Sequence, residues 1–236
     1  MKIAGSVVLI TGANRGIGLA FVHAFLKAGV KKVYAASRKG DDPGIDGVVP
    51  VVLDVTDPAQ IKRVAADLGD VNVLVNNAGI LVPGGALADD VEAVLEQHMQ
   101  VNVLGPVRMT RIFAPVLKLN GGGAVVNVHS LLTWLTVDGS AAYSASKAAI
   151  WAFTNGIRIE LARQGTQVIG VHVGFVETDM TAAIDVPKMP ASGVADSVLA
   201  ALESGTVEVL VDESTRQLKA SLSSDAPGYL HPPTLG

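Results

Sequence analysis

Short runs of four to six mostly apolar residues alternate along the chain with longer segments whose apolar positions recur every three or four residues. The runs predict strands and the spaced segments predict helices. Strands are predicted at 6–10, 32–36, 48–53, 71–75, 124–128, 168–173 and 207–211. They are rich in valine and barely alternate with polar residues, which suits a parallel sheet covered on both faces. Between them, Leu19, Phe21, Val22, Phe25 and Leu26 mark a helix that Gly29 stops. A second helix begins near Pro58 with Thr56 or Asp57 as cap and runs to Gly69. Helical spacing returns from Asp89 to Met99 and on through Val101-Asn102-Val103, after which Pro106 and Pro115 predict a separate or kinked helix. Ala149, Phe153, Ile157 and Leu161 form the stripe of a further helix, and shorter ones are predicted at 195–202 and 213–222. Strand and helix in strict alternation predict an α/β, doubly wound Rossmann-type sheet of about seven parallel strands, with 1–236 as one domain.

Three segments break the rhythm. Residues 40–47 read Gly-Asp-Asp-Pro-Gly-Ile-Asp-Gly, so the second crossover is predicted to be a loop. Residues 178–192 are apolar but irregular, which suits a lid over a hydrophobic substrate or a surface loop. The tail, 223–236, holds three prolines and is expected to be mobile or packed on a partner.

Composition narrows the function classes. The chain is 49% hydrophobic but 4% aromatic, so its core must be aliphatic. Lysine plus arginine is 18 against 22 acids, 18 − 22 = −4, and this mild acidity without a basic stripe argues against a nucleic-acid binder. The absence of cysteine removes disulfides, thiolate catalysis and cysteine-based metal sites. The first residues lead directly into a strand, and no apolar run reaches membrane-spanning length. A soluble cytoplasmic protein is the expectation.

The candidate chemistry lies at the ends of the predicted strands. Gly12, Gly16 and Gly18 stand between the first strand and its helix, where bare backbone N–H groups and a helix N-terminus can cradle a pyrophosphate. The second strand ends in Ser37-Arg38-Lys39, with no acid until Asp41. An acid there would suit the free ribose of NAD, whereas Arg38, joined by Arg15, suits the 2′-phosphate of NADPH. Asn102 is a polar residue in an apolar segment and should have buried partners. Ser130 follows the fifth strand, where such sheets place chemistry. Tyr143 and Lys147, four apart, share a helix face. A free tyrosine ionises near pH ~10, and a neighbouring ammonium lowers that value enough to make it a usable acid or base.

Together these residues resemble the short-chain dehydrogenase/reductases, in the compact NADP(H)-dependent carbonyl reductase form, over nearly the whole chain. The ordered set is Thr11-Gly12-x-x-x-Gly16-x-Gly18, Asp54-Val55, Asn76-Asn77-Ala78-Gly79, Asn102, Ser130 and Tyr143-x-x-x-Lys147. The resemblance implies that Gly12, Asn14, Arg15, Gly16, Ile17 and Gly18 line the pyrophosphate and adenosine ribose. It assigns Asp54 and Val55 to the adenine, and Asn76, Ala78 and Gly79 to the central sheet and cofactor edge. Val176 and Thr178 fall to the nicotinamide end. Tyr143 would be the proton donor, Lys147 would lower its pKa and hold the ribose, and Ser130 would bind the substrate oxygen. Asn102 would hold a water leading from Lys147 to solvent. By analogy, Leu131, Trp134, Phe175, Met180 and Ile184 are pocket candidates for a small carbonyl or alcohol substrate. The family also implies a homodimer or homotetramer. Val173-Gly174 stands where Pro-Gly is usual, and the ending typical of many acyl-carrier reductases is missing. The alternatives are an NADP(H)-binding regulator without turnover, an imine reductase, and an NAD-preferring dehydrogenase.

Overall fold

The apolar runs pair into one parallel sheet. In the computed structural model, which describes residues 1–230 and 232, the strands are β1 (Val7–Thr11), β2 (Lys32–Ser37), β3 (Val48–Val52), β4 (Val73–Asn76), β5 (Ala124–Val128), β6 (Gln167–His172) and β7 (Glu208–Leu210). Their order is β3-β2-β1-β4-β5-β6-β7, and every pair is parallel. The helices are α1 (Gly16–Lys27), α2 (Pro58–Asp67), α3 (Val91–His98), α4 (Gly105–Leu119), α5 (Ala141–Leu161), α6 (Ala191–Ser204) and α7 (Glu213–Ser221).

Successive strand residues point to opposite faces, so the sheet feeds two cores. Val8, Ile10, Val126 and Ile169 pack with Phe21 and Phe25 of α1 and Val194, Val198 and Leu202 of α6. Val7, Leu9, Leu74 and Val125 pack on the other side with Ile61 of α2, Met109 and Phe113 of α4 and Leu161 of α5. The edge strand β3 departs from the expectation of strands covered on both faces. Val49 and Val52 are exposed there, and Pro50 is tolerated because an edge strand has a side with no ladder to complete. Residues 40–47 form no helix, as their glycines and proline predict.

The segment around Asn102 is helical throughout, and its second half is a separate helix, as Pro106 predicts. α3 passes into a π-helical turn, Met99–Leu104, and then into α4, which keeps Pro115 inside it. Pro106 sits in the first turn of α4, where its missing N–H costs least. A π-turn loosens the ladder by one residue and re-aims a side chain. Here that side chain is Asn102.

α5 also differs from its expected stripe. Its buried face is Tyr143, Ser146, Lys147, Ile150 and Thr154, while Phe153 is 51% exposed. Within 178–192, a 3-10 turn at Asp179–Thr181 and a bridge from Val176 to Met189 give the loop local order, and α6 begins at Ala191. Residues 223–230 fold back on α7, with the Gly228 N–H donating to Ser221 Oγ at 3.1 Å. Residues 231 and 233–236 of the predicted tail lie outside the described residues. Among the described residues, no helix is long and apolar enough to cross a membrane.

Candidate active site

The strand order reverses between β1 and β4, and in open α/β sheets that switch point opens a crevice at the carboxyl ends of the strands. The glycine turn after β1 is locked to the end of β4 by side chains of both. Thr11 Oγ1 donates to Val75 O at 3.2 Å and accepts from the Asn77 and Ala78 N–H groups at 3.0 and 3.1 Å. Asn77 Nδ2 returns two bonds, to Thr11 O at 2.9 Å and Gly12 O at 3.1 Å. Gly12 and Gly16 adopt positive φ of 65° and 53°. Gly18 has a different reason: a Cβ there would lie 2.0 Å from Gly12 O. The turn is therefore built with its backbone bare toward the crevice.

Above it lies a cavity of about 1570 Å³, larger than the ~300–1,000 Å³ of an ordinary small-molecule site. Gly12, Asn14, Arg15, Gly16 and Ile17 form one wall. Arg38, Asp54 and Val55 close the β2–β3 end, and Ala78, Gly79, Thr178 and Met180 close the other. The remaining candidates lie deeper. Gly18 packs under the turn, Val176 is 3% exposed, and Asn76 Nδ2 donates to Asn127 Oδ1 at 2.8 Å and Thr110 Oγ1 at 3.2 Å.

Two charged contacts cross the mouth. Arg15 Nη1 donates to Asp179 Oδ2 at 3.0 Å, joining the glycine turn to the loop after β6. Asp41 Oδ2 accepts from Ser37 Oγ at 2.8 Å and Asn14 Nδ2 at 3.1 Å. Ser37 and Asp41 both line the cavity. Neither carries a sequence signal for a place in the cavity beyond Asp41 being the first acid after β2.

Gly79 leads from the cavity to the buried polar residues. A Cβ on it would lie 3.3 Å from Asn102 Oδ1 and 3.9 Å from Lys147 Nζ. Lys147 donates to Val128 O at 3.0 Å, and its nitrogen stands 5.5 Å from the Tyr143 ring centroid. Tyr143, Ser130 and Lys147 are 8%, 7% and 7% exposed. Ser130 Oγ accepts from the Leu132 N–H at 3.1 Å, which leaves its own hydrogen free to donate elsewhere.

Asn102 does not hang free toward Lys147. Its Oδ1 accepts from Ile80 N at 2.9 Å, and its Nδ2 donates to Ile80 O at 3.0 Å and Ser146 Oγ at 3.1 Å. The side chain is occupied at both ends, so it pins the β4 loop to α5.

Burial governs the ionisation of this group. It drives Lys147 down to about 8. It pushes Tyr143 up to about 12, with the Ser130 hydroxyl pulling the other way. The lowering expected from the lysine is not found: desolvation of the phenolate dominates, and what opposes it is the Ser130 hydroxyl.

Behind Ser130 lies a stack of rings. His172 stacks on Trp134 at 4.0 Å between centroids, and the His129 ring lies 4.9 Å away. Burial brings His172 to about 3 and holds His129 well below the usual imidazole range, so both are neutral at neutral pH. Of the five pocket candidates, Met180 lines the cavity, while Leu131 and Trp134 pack into the apolar cluster that includes Tyr143. Phe175 and Ile184 belong to neither group, and the Phe175 carbonyl accepts from Met189 N at 3.0 Å. Among the described residues no three His, Asp or Glu side chains are grouped to hold a metal ion.

The family model described as short chain dehydrogenase matches residues 6–188. The chain is a short-chain dehydrogenase/reductase. A short chain dehydrogenase from Burkholderia cenocepacia J2315, solved in complex with NADP, is 40% identical with a TM-score of 0.90, covering 95% of each chain. The NADPH-dependent 1-acyldihydroxyacetone phosphate reductase of Schizosaccharomyces pombe is 36% identical over 183 residues, 74% of this chain and 61% of that protein. The chain thus spans about three-fifths of that relative and of the insect dehydrogenase/reductases that it also matches. The 3-oxoacyl-[acyl-carrier-protein] reductase FabG of Escherichia coli K12 is 28% identical, with 100% of this chain and 96% of that protein covered. The seven-stranded parallel sheet is the family fold.

Proposed function

We propose that this family member is an NADP(H)-dependent carbonyl reductase, reversibly an alcohol dehydrogenase, with a small or medium apolar ketone or aldehyde as substrate. The observation that carries the reading is the buried Tyr143–Lys147–Ser130 group, which adjoins the cavity at Gly79. The cavity suits a dinucleotide phosphate by its lining. Gly12 and Gly16 line it without side chains, Gly18 packs beneath them, and the guanidinium-bearing Arg15 and Arg38 both line it. The Burkholderia relative, crystallised with NADP, supports the same cofactor.

Bound NADPH would supply the hydride. The chain's own groups do the rest. Tyr143, kept protonated by burial, donates its proton to the carbonyl oxygen. The free Ser130 hydrogen bonds that oxygen as negative charge builds on it. Lys147 keeps a positive charge beside the tyrosine and is anchored by Val128 O. Asn102 is a positioning residue that holds Ile80 and Ser146 in place around the lysine. Loss of nicotinamide absorbance with a panel of ketones and aldehydes tests the reading, and NADPH binding without turnover across that panel would favour a regulator.

Lys147 also sets a pH dependence. Its ammonium is present below its folded pKa of about 8 and lost above it. The kcat/KM for ketone reduction is therefore expected to hold up to about pH 8 and fall beyond it. A profile measured between about pH 6 and 10 checks this, and a level profile throughout would assign the proton to another group.

An NAD preference has one observation in its favour, the Asp41 carboxylate at the adenosine end beside Ser37. A homo-oligomer through α5 is supported by Phe153 and Ile159, which are 51% and 69% exposed on that helix.

A further inference from the structure

The loop after β6 carries Val176 and Thr178, yet its root is held by a side chain from another element. The Gly174 N–H donates to Asp212 Oδ2 at 2.6 Å. The other oxygen, Asp212 Oδ1, accepts from the Thr215 N–H at 2.9 Å and caps α7. Thr215 completes the cap, donating its hydroxyl to Asp212 O at 2.8 Å and accepting from Asp212 N at 3.4 Å. One carboxylate thus serves two elements, with one oxygen for each. The approach is close enough that a Cβ on residue 174 would lie 3.1 Å from both oxygens, so the glycine admits the carboxylate.

α7 reaches the same centre a second way. Its Leu218 packs in the cluster that contains Tyr143, Leu132 and Leu135. Its Lys219 pairs with Glu208 and lies 5.6 Å over the Trp134 ring. Trp134 stacks on His172, whose Nδ1 is 3.4 Å from Ser130 O. The two strand ends are themselves tied, since the Leu131 N–H donates to Val173 O at 2.7 Å. The helix therefore braces the loops on both sides of the proton donor.

We propose that Asp212 is a positioning residue of the active site, fixing the Gly174 amide and through it the backbone that presents Val176 and Thr178 to the cavity. The inference rests on the reductase reading above. The charged bond to a backbone amide is of the strong class, and small displacements at a reacting centre cost rate steeply.

Asparagine separates this role from helix capping. It caps helices about as well as aspartate, but its single oxygen cannot take the places of both carboxylate oxygens. Asp212→Asn keeps α7 capped but loses the charged bond to Gly174, and its thermal midpoint is expected to fall by about 4 °C. Its kcat with ethyl acetoacetate or acetophenone should fall about tenfold, with NADPH affinity changed by less than about threefold. Amide exchange at 174–178 should speed up about tenfold as the anchor is lost. Thr215→Val should lower the midpoint by a similar amount, about 4 °C, with kcat unchanged. Wild-type kcat and wild-type exchange in Asp212→Asn would overturn the proposal. So would equal losses of kcat in the two variants. If the parent protein reduces no ketone, the reductase reading fails by itself, and exchange at 174–178 still decides the role of Asp212.

Discussion

Replacing Tyr143 with phenylalanine is expected to cut ketone turnover by about 10² to 10⁴-fold or more while NADPH binding stays intact. The change removes one oxygen and keeps the ring. That ring is held by Leu132, Leu135, Val137 and Leu218, with His98 edge-on at 6.0 Å, and phenylalanine preserves all of these contacts. Its hydroxyl adjoins Ser130, and burial pushes it up to about 12, so at neutral pH it is an acid with its proton in place. Removing that proton leaves Ser130 to bond the oxygen with nothing to donate a proton to it. Steady-state rates and a nicotinamide fluorescence titration on the same preparation separate the two effects. Turnover above about a tenth of the parent would take Tyr143 out of the mechanism.

Arg38→Asp is expected to weaken NADPH about 100-fold and to leave NADH nearly unchanged, because it puts a negative charge where a 2′-phosphate would sit. Arg38 is exposed on the cavity wall at the end of β2. Arg15, the second guanidinium, is engaged with Asp179, but both side chains are at least 70% exposed. An exposed pair of this kind is worth only about 0–1 kcal/mol, so Arg15 is released to a phosphate at little cost. Asp41 already contributes one carboxylate at that end, held by Ser37 and Asn14. A second would leave Arg15 as the only guanidinium of the pair. The ratio of kcat/KM for NADPH to that for NADH checks the prediction. Equal losses with both coenzymes would place the phosphate elsewhere.

What the sequence makes legible is what is local along it. The glycine turn, the strand ends and the Tyr143–Lys147 spacing are each contained in a few residues, and the alternation of elements leads to the parallel sheet. Features built between distant residues stayed hidden. From the π-turn Asn102 reaches Ile80, 22 residues away, whereas Pro106 and Pro115 predict only a separate or kinked helix. The Asp212–Gly174 bond joins residues 38 apart, and neither position carries a local signal for it. Phe153 fits the helical stripe as well as Ile150 does, yet it faces outward because Tyr143, Ser146 and Lys147 turn the helix toward the polar group. Trp134, apolar and beside Ser130, reads as a pocket wall, whereas it stacks on His172. Electrostatics were the hardest to foresee. The sign of the tyrosine shift follows from how deeply the phenol is buried, which spacing does not reveal.

We propose that hydride reaches the carbonyl at this site with Tyr143 supplying the proton. The direct measurement is transfer of deuterium from NADPH labelled at nicotinamide C4, prepared separately on each face, to the carbonyl carbon of a ketone, followed by NMR. Deuterated alcohol is expected from one labelled face with the parent protein, and a loss of product in Tyr143→Phe. NADPH that binds tightly and transfers no deuterium to any ketone or aldehyde of the panel would contradict the proposal.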